Sequence, residues 1–314
     1  MRTLGRTSLQ VFPLCLGGNV FGWTADERES FRVLDAYAEG GGNFVDTADV
    51  YSEWVPGHSG GESESIIGAW MAARKNRDRM IVATKVGMSR HLPGLAPAAI
   101  RTGIEASLRR LRTDRIDLYF AHRDDANTPL EESLRAFDAL VREGKVRHIA
   151  ASNYTATRLS EALEICDREG LTRFTVVQPH YNLMHRNDYE GELRDICARE
   201  QLACVPYFSL AKGFLTGKYR PGSTVESARA NAARAYLDDE RGIRVLAVLD
   251  EIAGAHRTPV AAVALAWLAA QPTVAAPIAS GRTAEQVRDL LPVADLRLND
   301  EELARLSDVS ARLH

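Results

Sequence analysis

The feature that constrains the fold most strongly is a regular alternation along nearly the whole chain. Short apolar runs are separated by longer amphipathic stretches. Eight of the runs have the length and composition of buried strands. They are Phe12–Leu16, Asn43–Asp46, Met80–Ala83, Ile116–Phe120, Val146–Ala151, Thr175–Gln178, Leu202–Pro206 and Thr273–Ile278. Strands that alternate with helices form βαβ units, and eight such units predict an α/β fold closed as a (β/α)8 TIM barrel.

The stretches between the runs have the spacing of amphipathic helices. Apolar residues recur every three or four positions over 100–111 and again over 130–141, which places them on one helical face in each stretch. Thr128 followed by Pro129 predicts an N-cap and a proline in the first turn. Gly144 lies where the helix that begins after Thr128 is expected to end.

The two ends of the chain predict additions to the barrel. Thr3–Val11 alternates apolar and polar residues around Gly5, which predicts an N-terminal β-hairpin. Asn299–Leu313 begins with capping residues and predicts a C-terminal helix. No linker, low-complexity tract or repeat interrupts the sequence, so residues 1–314 are expected to form a single domain.

Charge and cysteine content limit the class of protein. With 39 basic and 42 acidic residues, the formal net charge of −3 gives no reason to expect nucleic acid or an anionic membrane as a partner. The four cysteines form no C-x-x-C pair and no disulfide framework, and no apolar run reaches membrane-spanning length. We therefore expect a soluble cytoplasmic protein without a bound metal, while its oligomeric state is not indicated.

Polar residues close several predicted strands, at the end of the barrel where active sites of this architecture lie. Asp46 and Lys85 end neighbouring strands and would offset each other's burial as an ion pair. Tyr51 follows soon after Asp46, and a nearby lysine is expected to lower the pKa of its hydroxyl from about 10 toward working pH, as a general acid requires. His122 follows the next strand and can polarise a substrate carbonyl or share a proton.

Plainer interpretations of these residues remain open on spacing alone. An Asp–Lys pair at a barrel rim is often structural, and a histidine such as His122 is more often a hydrogen-bonded core residue.

A metal-dependent hydrolase would need ligands together at strand ends, where only His122 and His180 come near. A Rossmann enzyme would carry G-x-G-x-x-G after an early strand, which the sequence lacks. Gly213–Lys218 is one residue too short for a P-loop.

Eight motifs follow one another along nearly the whole chain. They are Leu4–Thr7, Leu14–Gly18, Asn43–Tyr51, Gly61–Gly68, Ala83–Lys85, Asp117–His122, Ile149–Asn153 and Ser209–Tyr219. Together they resemble the aldo-keto reductase superfamily, in particular its bacterial branch, which is similar to potassium-channel β subunits. The resemblance implies NADPH-dependent reduction of aldehydes or ketones. It also implies a catalytic tetrad in which Tyr51 donates the proton, and whose members are Asp46, Tyr51, Lys85 and His122.

The resemblance further implies which residues hold the cofactor NADPH. Ser152, Asn153 and Gln178 would hold the nicotinamide carboxamide. Tyr207 would stack on the nicotinamide ring, although simple packing under the following loop is an equal alternative. The residues implied around the pyrophosphate and adenosine are Ser209, Leu210, Lys212, Gly213, Leu215, Gly217, Lys218, Ser280, Arg282 and Gln286. Arg282 is the expected partner of the 2′-phosphate, because a guanidinium forks onto phosphate oxygens.

Two residues depart from the family pattern near the expected adenosine site. Ser280 stands where glycine is expected, and Asp289 stands where asparagine is more common. A carboxylate at position 289 would weaken a hydrogen bond to adenine or repel a phosphate. The departure therefore bears on how strictly the chain prefers NADPH to NADH.

Trp23, Trp54 and Arg123 are expected to border the substrate pocket, and the two indoles suit either aromatic aldehydes or the faces of sugars. The stretch from Phe208 to about Leu237 lacks periodicity, and its part from Arg220 onward is expected to fold over the cofactor as a lid. A different function stays open, because an intact tetrad does not exclude a cofactor-binding regulatory subunit with little turnover. Such a subunit would expose an apolar patch matched to its partner.

Overall fold

The computed structural model, which describes residues 1–226 and 228–311, contains a sheet of eight parallel strands and a separate two-stranded hairpin. The hairpin strands are β1 (Arg2–Thr3) and β2 (Gln10–Val11). The barrel strands are β3 (Cys15–Gly17), β4 (Phe44–Asp46), β5 (Ile81–Val86), β6 (Ile116–Ala121), β7 (Val146–Ser152), β8 (Phe174–Gln178), β9 (Ala203–Cys204) and β10 (Ile278–Ala279). Each strand from β3 to β8 pairs with the next, and β10 pairs with β3.

The sheet closes into a barrel through the chain that precedes β10. The backbone N–H of Cys204 in β9 donates to the carbonyl of Thr273 at 2.8 Å, and the Cys204 carbonyl accepts from the N–H of Ala275 at 2.9 Å. β10 then pairs in parallel with β3, with Ile278 opposite Cys15. These contacts confirm the (β/α)8 barrel that the alternation predicts, and the antiparallel pair β1–β2 confirms the hairpin.

The last two barrel strands are shorter than the apolar runs that predict them. Regular pairing covers only two residues in each of β9 and β10. The runs contain Pro206 and Pro277, whose backbone nitrogens have no hydrogen to donate to a neighbouring strand. An apolar run therefore marks buried chain, and it overstates the length over which that chain forms strand hydrogen bonds.

Helices fill the connections between the strands. They are α1 (Glu27–Glu39), α2 (Glu62–Arg74), α3 (Pro97–Leu111), α4 (Leu130–Arg142), α5 (Ala156–Glu169), α6 (Glu192–Glu200), α7 (Ala230–Arg234), α8 (Glu240–His256), α9 (Val260–Ala269), α10 (Ala284–Arg288) and α11 (Asp300–Ser310). Within the described ranges no single helix has the length and apolar character to span a membrane. Only α8 and α9 taken together reach that length and composition, and they are bent by 99° at their junction.

The two ends of α4 can be compared with the caps that the sequence predicts. The N-cap of α4 is Pro129, which makes no side-chain cap, so the prediction of Thr128 at that position is wrong. The hydroxyl of Thr128 instead donates to Asp125 at 2.7 Å and stabilises the preceding turn. Gly144, at a φ of 75°, follows the end of α4 as expected.

The C-terminal helix begins with a capping box. The side chain of Asn299 accepts from the backbone N–H of Glu302 at 2.9 Å, and the Glu302 carboxylate accepts from the N–H of Asn299 at 2.9 Å. The predicted C-terminal helix is therefore confirmed as α11. Its expected last residues, 312 and 313, lie outside the described residues.

The N-terminal hairpin plugs the end of the barrel at which the strands begin. Leu4, Leu9 and Val11 pack against inward-facing residues of the barrel strands in one apolar cluster. Gly5, with a φ of 57°, lies in the hairpin turn, where a Cβ would come within 2.9 Å of the Thr175 carbonyl oxygen at the start of β8. Because one end of the barrel is plugged in this way, polar side chains can collect only at the other end.

We expect Gly5→Ala to lower the free energy of unfolding by at least about 1–2 kcal/mol, because a Cβ at positive φ is strained and meets backbone atoms. Gly254→Ala in α8 is the matched control, since no atom lies within 4 Å of its added Cβ. That change should be neutral or stabilise the protein by about 0.5–1 kcal/mol. Urea unfolding followed by tryptophan fluorescence measures both, and equal stability of the two variants would contradict the close packing of the hairpin turn.

Candidate active site

Polar side chains from five neighbouring strands meet at the open end of the barrel. Asp46 is the last residue of β4, Lys85 is the penultimate residue of β5, and His122 follows β6 directly. Ser152 and Gln178 are the last residues of β7 and β8. Parallel strands all end at the same rim, and the structure thus brings these five predicted residues together.

Lys85 is the centre of a hydrogen-bond network although its side chain is completely buried. Its Nζ donates to Asp46 Oδ2 at 2.6 Å, to the Thr47 carbonyl at 2.7 Å and to the Tyr51 hydroxyl at 3.0 Å. The other carboxylate oxygen of Asp46 accepts from Gln178 Nε2 at 2.9 Å. All three donors of the ammonium group are therefore used, and its charge lies 2.6 Å from a carboxylate.

Tyr51 lies between this network and the cavity. Its hydroxyl accepts from Lys85 and donates to Asp46 Oδ2 at 3.2 Å. The expectation that Lys85 lowers the pKa of Tyr51 is wrong, because burial raises that pKa well above 10, and the charge and hydrogen bond of Asp46 raise it further. The phenol therefore stays protonated at neutral pH and keeps a proton to give.

His122 faces Tyr51, with 6.2 Å between the two ring centroids. Burial lowers the pKa of His122 well below 6.5, and the positive charges of Lys85 and Arg123 lower it further, so the imidazole is neutral at physiological pH. Its Nδ1 is buried and has no hydrogen-bond partner among the described residues. A neutral imidazole carries one N–H donor and one acceptor, which suits hydrogen bonding to a carbonyl oxygen.

A cavity of about 960 Å³ opens in front of these groups. Most of the predicted site residues line it: Asp46, Tyr51, His122, Ser152, Asn153, Gln178, Tyr207, Ser209, Leu210, Lys212, Gly213, Lys218, Ser280, Arg282, Gln286, Trp23, Trp54 and Arg123. Lys85 is not exposed to the cavity and acts on it only through Tyr51 and Asp46.

Two predicted cofactor residues do not reach the cavity. Leu215 is completely buried in the apolar core between the barrel and the helices. Gly217 packs against Val260 of α9, where an added Cβ would come within 3.2 Å of the valine side chain. Both lie in or directly after the tight turn Ala211–Thr216, whose buried residues are Ala211, Phe214 and Leu215. Neither residue lines the cavity, and their expected contact with the cofactor stays a prediction.

The residues expected around the nicotinamide are joined in one chain of hydrogen bonds. The Tyr207 hydroxyl donates to Asn153 Oδ1 at 2.9 Å, and Asn153 Nδ2 donates to the His122 carbonyl at 2.9 Å and to Ser152 Oγ at 3.1 Å. Ser152 Oγ donates in turn to the Gln178 carbonyl at 2.8 Å. These bonds fix the positions of three polar side chains, those of Ser152, Asn153 and Tyr207, along one wall of the cavity.

Positive charges without acidic partners lie along another part of the cavity. Lys212, Lys218 and Arg282 line it, and within the described part of the chain none of them forms an ion pair. Burial lowers the pKa of Lys218, and the charge of Arg282 lowers it further. Unpaired cations beside a cavity indicate an anionic ligand, and phosphate groups match both lysine and arginine.

The two departures from the family pattern lie in the same region. Ser280 Oγ donates to Asn19 Oδ1 at 2.8 Å, and a Cβ on the neighbouring Gly17 would come within 2.6 Å of this hydroxyl. The serine therefore links the chain after β10 to the chain after β3. Asp289 lines the cavity together with Arg282, in the region expected to hold the adenosine.

Aromatic rings border the cavity beside Tyr51. The rings of Trp23 and Trp54 meet edge to face at 5.5 Å, and Trp54 is 45% exposed. Three lining residues that the sequence analysis missed are Met88, Phe208 and Arg229. Phe208 stands between two predicted residues and was within reach of the sequence argument. Arg229 carried no signal, because it lies in the non-periodic stretch that was expected to form a lid, in which Ser227 is outside the described residues.

Arg229 is the half-buried cation of this region. Its guanidinium lies 5.4 Å from the Trp23 ring centroid and 5.7 Å from that of Phe208, which are distances typical of cation–π contacts. Within the described ranges its guanidinium forms no hydrogen bond or ion pair. The pKa of Arg229 is lowered by burial, which shows that the aromatic contacts do not fully replace water.

One group of potential metal ligands occurs among the described residues, and it lies outside the tetrad. It consists of His180, His185 and Asp188. The rings of the two histidines stack with their centroids 3.8 Å apart and their planes within 9°. In-plane lone pairs of parallel stacked rings cannot point at one ion, and His122 is not part of the group, so the geometry does not support the hydrolase alternative.

Comparison with known proteins agrees with this geometry. A model of the aldo/keto reductase family matches residues 13–311. YrpG of Bacillus subtilis, described as an uncharacterized oxidoreductase, is 35% identical, with 98% of this chain and 94% of YrpG covered. Norsolorinic acid reductase stcV of Emericella nidulans is 34% identical, with 96% and 78% covered. A probable voltage-gated potassium channel subunit beta of Oryza sativa is 31% identical, with 94% and 91% covered.

The barrel and its rim define a class of α/β-barrel oxidoreductases. This chain belongs to the aldo/keto reductase family, since the family model and its relatives cover nearly all of it. The resemblance inferred from the eight motifs is therefore confirmed. The individual roles of the site residues stay predictions, because the comparisons establish membership of the family and do not assign residues.

We expect Lys85→Met to lower the free energy of unfolding by about 3–5 kcal/mol, because the change leaves Asp46 buried without its counter-ion. The double variant Asp46→Asn with Lys85→Met should regain part of that loss, since no charge is then left unpaired. Lys145→Met is the control, because Lys145 pairs with Glu105 and Glu143 at the surface and such pairs contribute about 0–1 kcal/mol. Urea titration measures all three, and a double variant no more stable than Lys85→Met would contradict the ion-pair argument.

Proposed function

We propose that this protein reduces aldehydes or ketones to alcohols with NADPH and that Tyr51 donates the proton. The observation that carries the proposal is the Tyr51 hydroxyl, which lines the cavity, stays protonated and accepts a hydrogen bond from a buried lysine. A phenol in this setting gives up its proton to a nearby oxygen while the lysine stabilises the phenolate that remains. The names of three relatives, all norsolorinic acid reductases, fit a reductive role.

The cavity supports a bound dinucleotide phosphate. Its volume of about 960 Å³ suits a large ligand, and the three unpaired cations Lys212, Lys218 and Arg282 match phosphate groups. Asn153 and Gln178 offer amide groups beside Tyr51, where a carboxamide would find donors and acceptors. A nicotinamide cofactor held there supplies a hydride to the carbonyl carbon.

The proton step follows from the hydrogen bonds at the rim. Tyr51 gives its hydroxyl proton to the substrate carbonyl oxygen, and the phenolate oxygen that results keeps its bond from Lys85 Nζ. Asp46 holds Lys85 in place and balances its charge. Neutral His122 hydrogen-bonds the carbonyl oxygen and orients it toward Tyr51, so that no group of the protein must change its charge before the substrate binds.

The substrate class is an aldehyde or ketone attached to a planar apolar group. Trp23, Trp54 and Met88 line the cavity next to Tyr51, and flat rings pack well against such a wall. The name aryl-alcohol dehydrogenase, carried by a relative that is 30% identical, fits the same chemistry.

We propose a cytoplasmic location, where such a cofactor and free thiols both persist. The four cysteines are free and buried. Burial raises the pKa of Cys166 and of Cys197 to about 12, so these thiols do not ionise at neutral pH. Free thiols are typical of a reducing compartment.

The proton donor is tested by Tyr51→Phe. We expect turnover of 4-nitrobenzaldehyde by NADPH to fall by about 10²–10⁴, because a general acid contributes a factor of that order. NADPH affinity, measured by quenching of tryptophan fluorescence, should change little. Tyr236→Phe is the control, because Tyr236 packs on Phe214 away from the rim and does not line the cavity. Unchanged turnover in Tyr51→Phe would exclude Tyr51 as the proton donor.

The cofactor preference is tested by Arg282→Gln. Loss of a guanidinium–phosphate contact should weaken NADPH binding about tenfold or more and leave NADH binding nearly unchanged. Arg288→Gln is the matched control, because Arg288 lies on α10, is exposed and does not line the cavity. Equal weakening of NADPH and NADH would show that Arg282 does not read the 2′-phosphate.

A cofactor-binding regulatory subunit is the second candidate, because probable potassium channel β subunits of rice and of Arabidopsis thaliana are among the relatives. Of the described large apolar side chains, Met1, Trp54, Met88 and Ile243 are more than a third exposed, and Trp54 and Met88 line the cavity. That distribution favours a substrate pocket over a partner surface. Tight NADPH binding without turnover of any aldehyde would favour the regulatory role.

A further inference from the structure

The positive charges along the cavity fall into two groups. Lys212, Lys218 and Arg282 form the group expected at the cofactor phosphates, and the charge of Arg282 lowers the pKa of Lys218. Arg229 belongs to the other group, because its guanidinium lies 5.4 Å from the Trp23 ring centroid and its charge acts on the pKa of Tyr51, although it also lies 5.7 Å from the Phe208 ring centroid. Arg123 is the remaining lining cation, and it follows β6, on the side of the rim that carries His122.

Arg123 follows His122 directly and has no partner of its own in the described part of the chain. Its side chain lines the cavity, and its charge contributes to lowering the pKa of His122. Consecutive Cα atoms are about 3.8 Å apart. The side chain of Arg123 therefore starts next to His122, the residue proposed to face the reacting carbonyl. An arginine in this place can contact the far end of a substrate whose carbonyl lies at Tyr51.

The acidic residues near Arg123 are already engaged elsewhere. Asp124 accepts from Arg158 at 2.9 Å. Asp125 accepts from the Leu95 N–H at 2.8 Å and from Thr128 and Asn127 in its own turn. Asp46 is bound to Lys85. Each of these carboxylates has donors of its own, and none of them forms an ion pair with Arg123 in the described part of the chain.

We propose that Arg123 selects carbonyl substrates that carry an anionic group, in particular aromatic aldehydes or ketones with a carboxylate on the ring. The ring packs between Trp23, Trp54 and Met88 while its carbonyl reaches Tyr51 and His122, and the carboxylate meets the guanidinium of Arg123. This inference rests on the proposed reductase function and specifies its substrate class. The carboxylate is a spectator in the reaction, so it raises the affinity for substrate and leaves the proton and hydride steps as they are.

The test compares two substrates that differ only in charge, 4-carboxybenzaldehyde and its methyl ester, methyl 4-formylbenzoate. The measured quantity is the ratio of kcat/KM for the acid to kcat/KM for the ester, in which any general effect on catalysis cancels. We expect Arg123→Gln to lower this ratio about five- to tenfold, mainly through KM of the acid, as is typical of an exposed to half-buried charge pair. Arg123→Lys should keep most of the ratio, because it keeps the charge.

Two controls separate a local contact from overall charge. Arg28→Gln removes the same charge from an exposed position on α1 outside the cavity and should leave the ratio unchanged. In the wild type, raising NaCl from about 0.01 M to about 1 M should reduce the ratio, because the Debye length falls from about 30 Å to about 3 Å. A ratio that ignores salt, or that falls equally in Arg28→Gln, overturns the assignment to Arg123.

The outcomes also distinguish this inference from the proposed function. If the wild type and Arg123→Gln reduce acid and ester with the same ratio, the reductase function stands and the anionic substrate class is wrong. If neither aldehyde is reduced, the reductase function fails. In that case the role of Arg123 is tested by binding. Quenching of tryptophan fluorescence measures the affinity of the NADP⁺-loaded protein for 4-carboxybenzaldehyde and for the ester. Tighter binding of the acid that is lost in Arg123→Gln supports the proposal, and equal binding of both overturns it.

Discussion

The buried ammonium group of Lys85 is the interaction on which the site depends. Moving a cation out of water costs several kcal/mol, and here the cost is offset by the carboxylate of Asp46, the carbonyl of Thr47 and the hydroxyl of Tyr51. The sheet makes this possible, because Asp46 pairs in register with Ala83, two residues before Lys85 on the neighbouring strand. Side chains two apart on a strand share a face, so Lys85 reaches across to Asp46 inside the barrel rim.

The rest of the barrel separates apolar and polar parts of the interior along its axis. Leu4, Leu9 and Val11 of the hairpin close one end, and the inward-facing strand residues above them are apolar. Charged and hydrogen-bonding side chains in the barrel interior therefore lie at the strand ends, where they face the cavity. The same separation explains the pKa values, since a phenol and an imidazole at the border of an apolar interior both favour their neutral forms.

Sequence reasoning predicts the parts of this site that follow from strand periodicity. Asp46, Lys85, His122 and Gln178 were found because each ends an apolar run, and a barrel brings such ends together. The predicted direction of the pKa shift of Tyr51 was wrong. The shift depends on the burial of the hydroxyl and on its contact with Asp46, and neither can be read from the spacing of residues in the sequence. In the irregular segments, Leu215 and Gly217 do not line the cavity, and no repeating pattern says which residues of a turn face inward.

Strands and loops also contribute different kinds of residues to the candidate site. Asp46 and Lys85, which are proposed to support the proton step, belong to β4 and β5, and Lys85 holds the Tyr51 hydroxyl through a hydrogen bond. The lining cations come from loops, among them Arg123 after β6 and Arg229 in the long stretch before α7. Arg123 and Arg229 form no ion pair in the described part of the chain, unlike Arg220 in the same long stretch, which pairs with Asp250. Lys85 and Asp46, by contrast, balance each other within the protein, so the proposed anionic ligand would act on the lining cations and leave this pair unchanged.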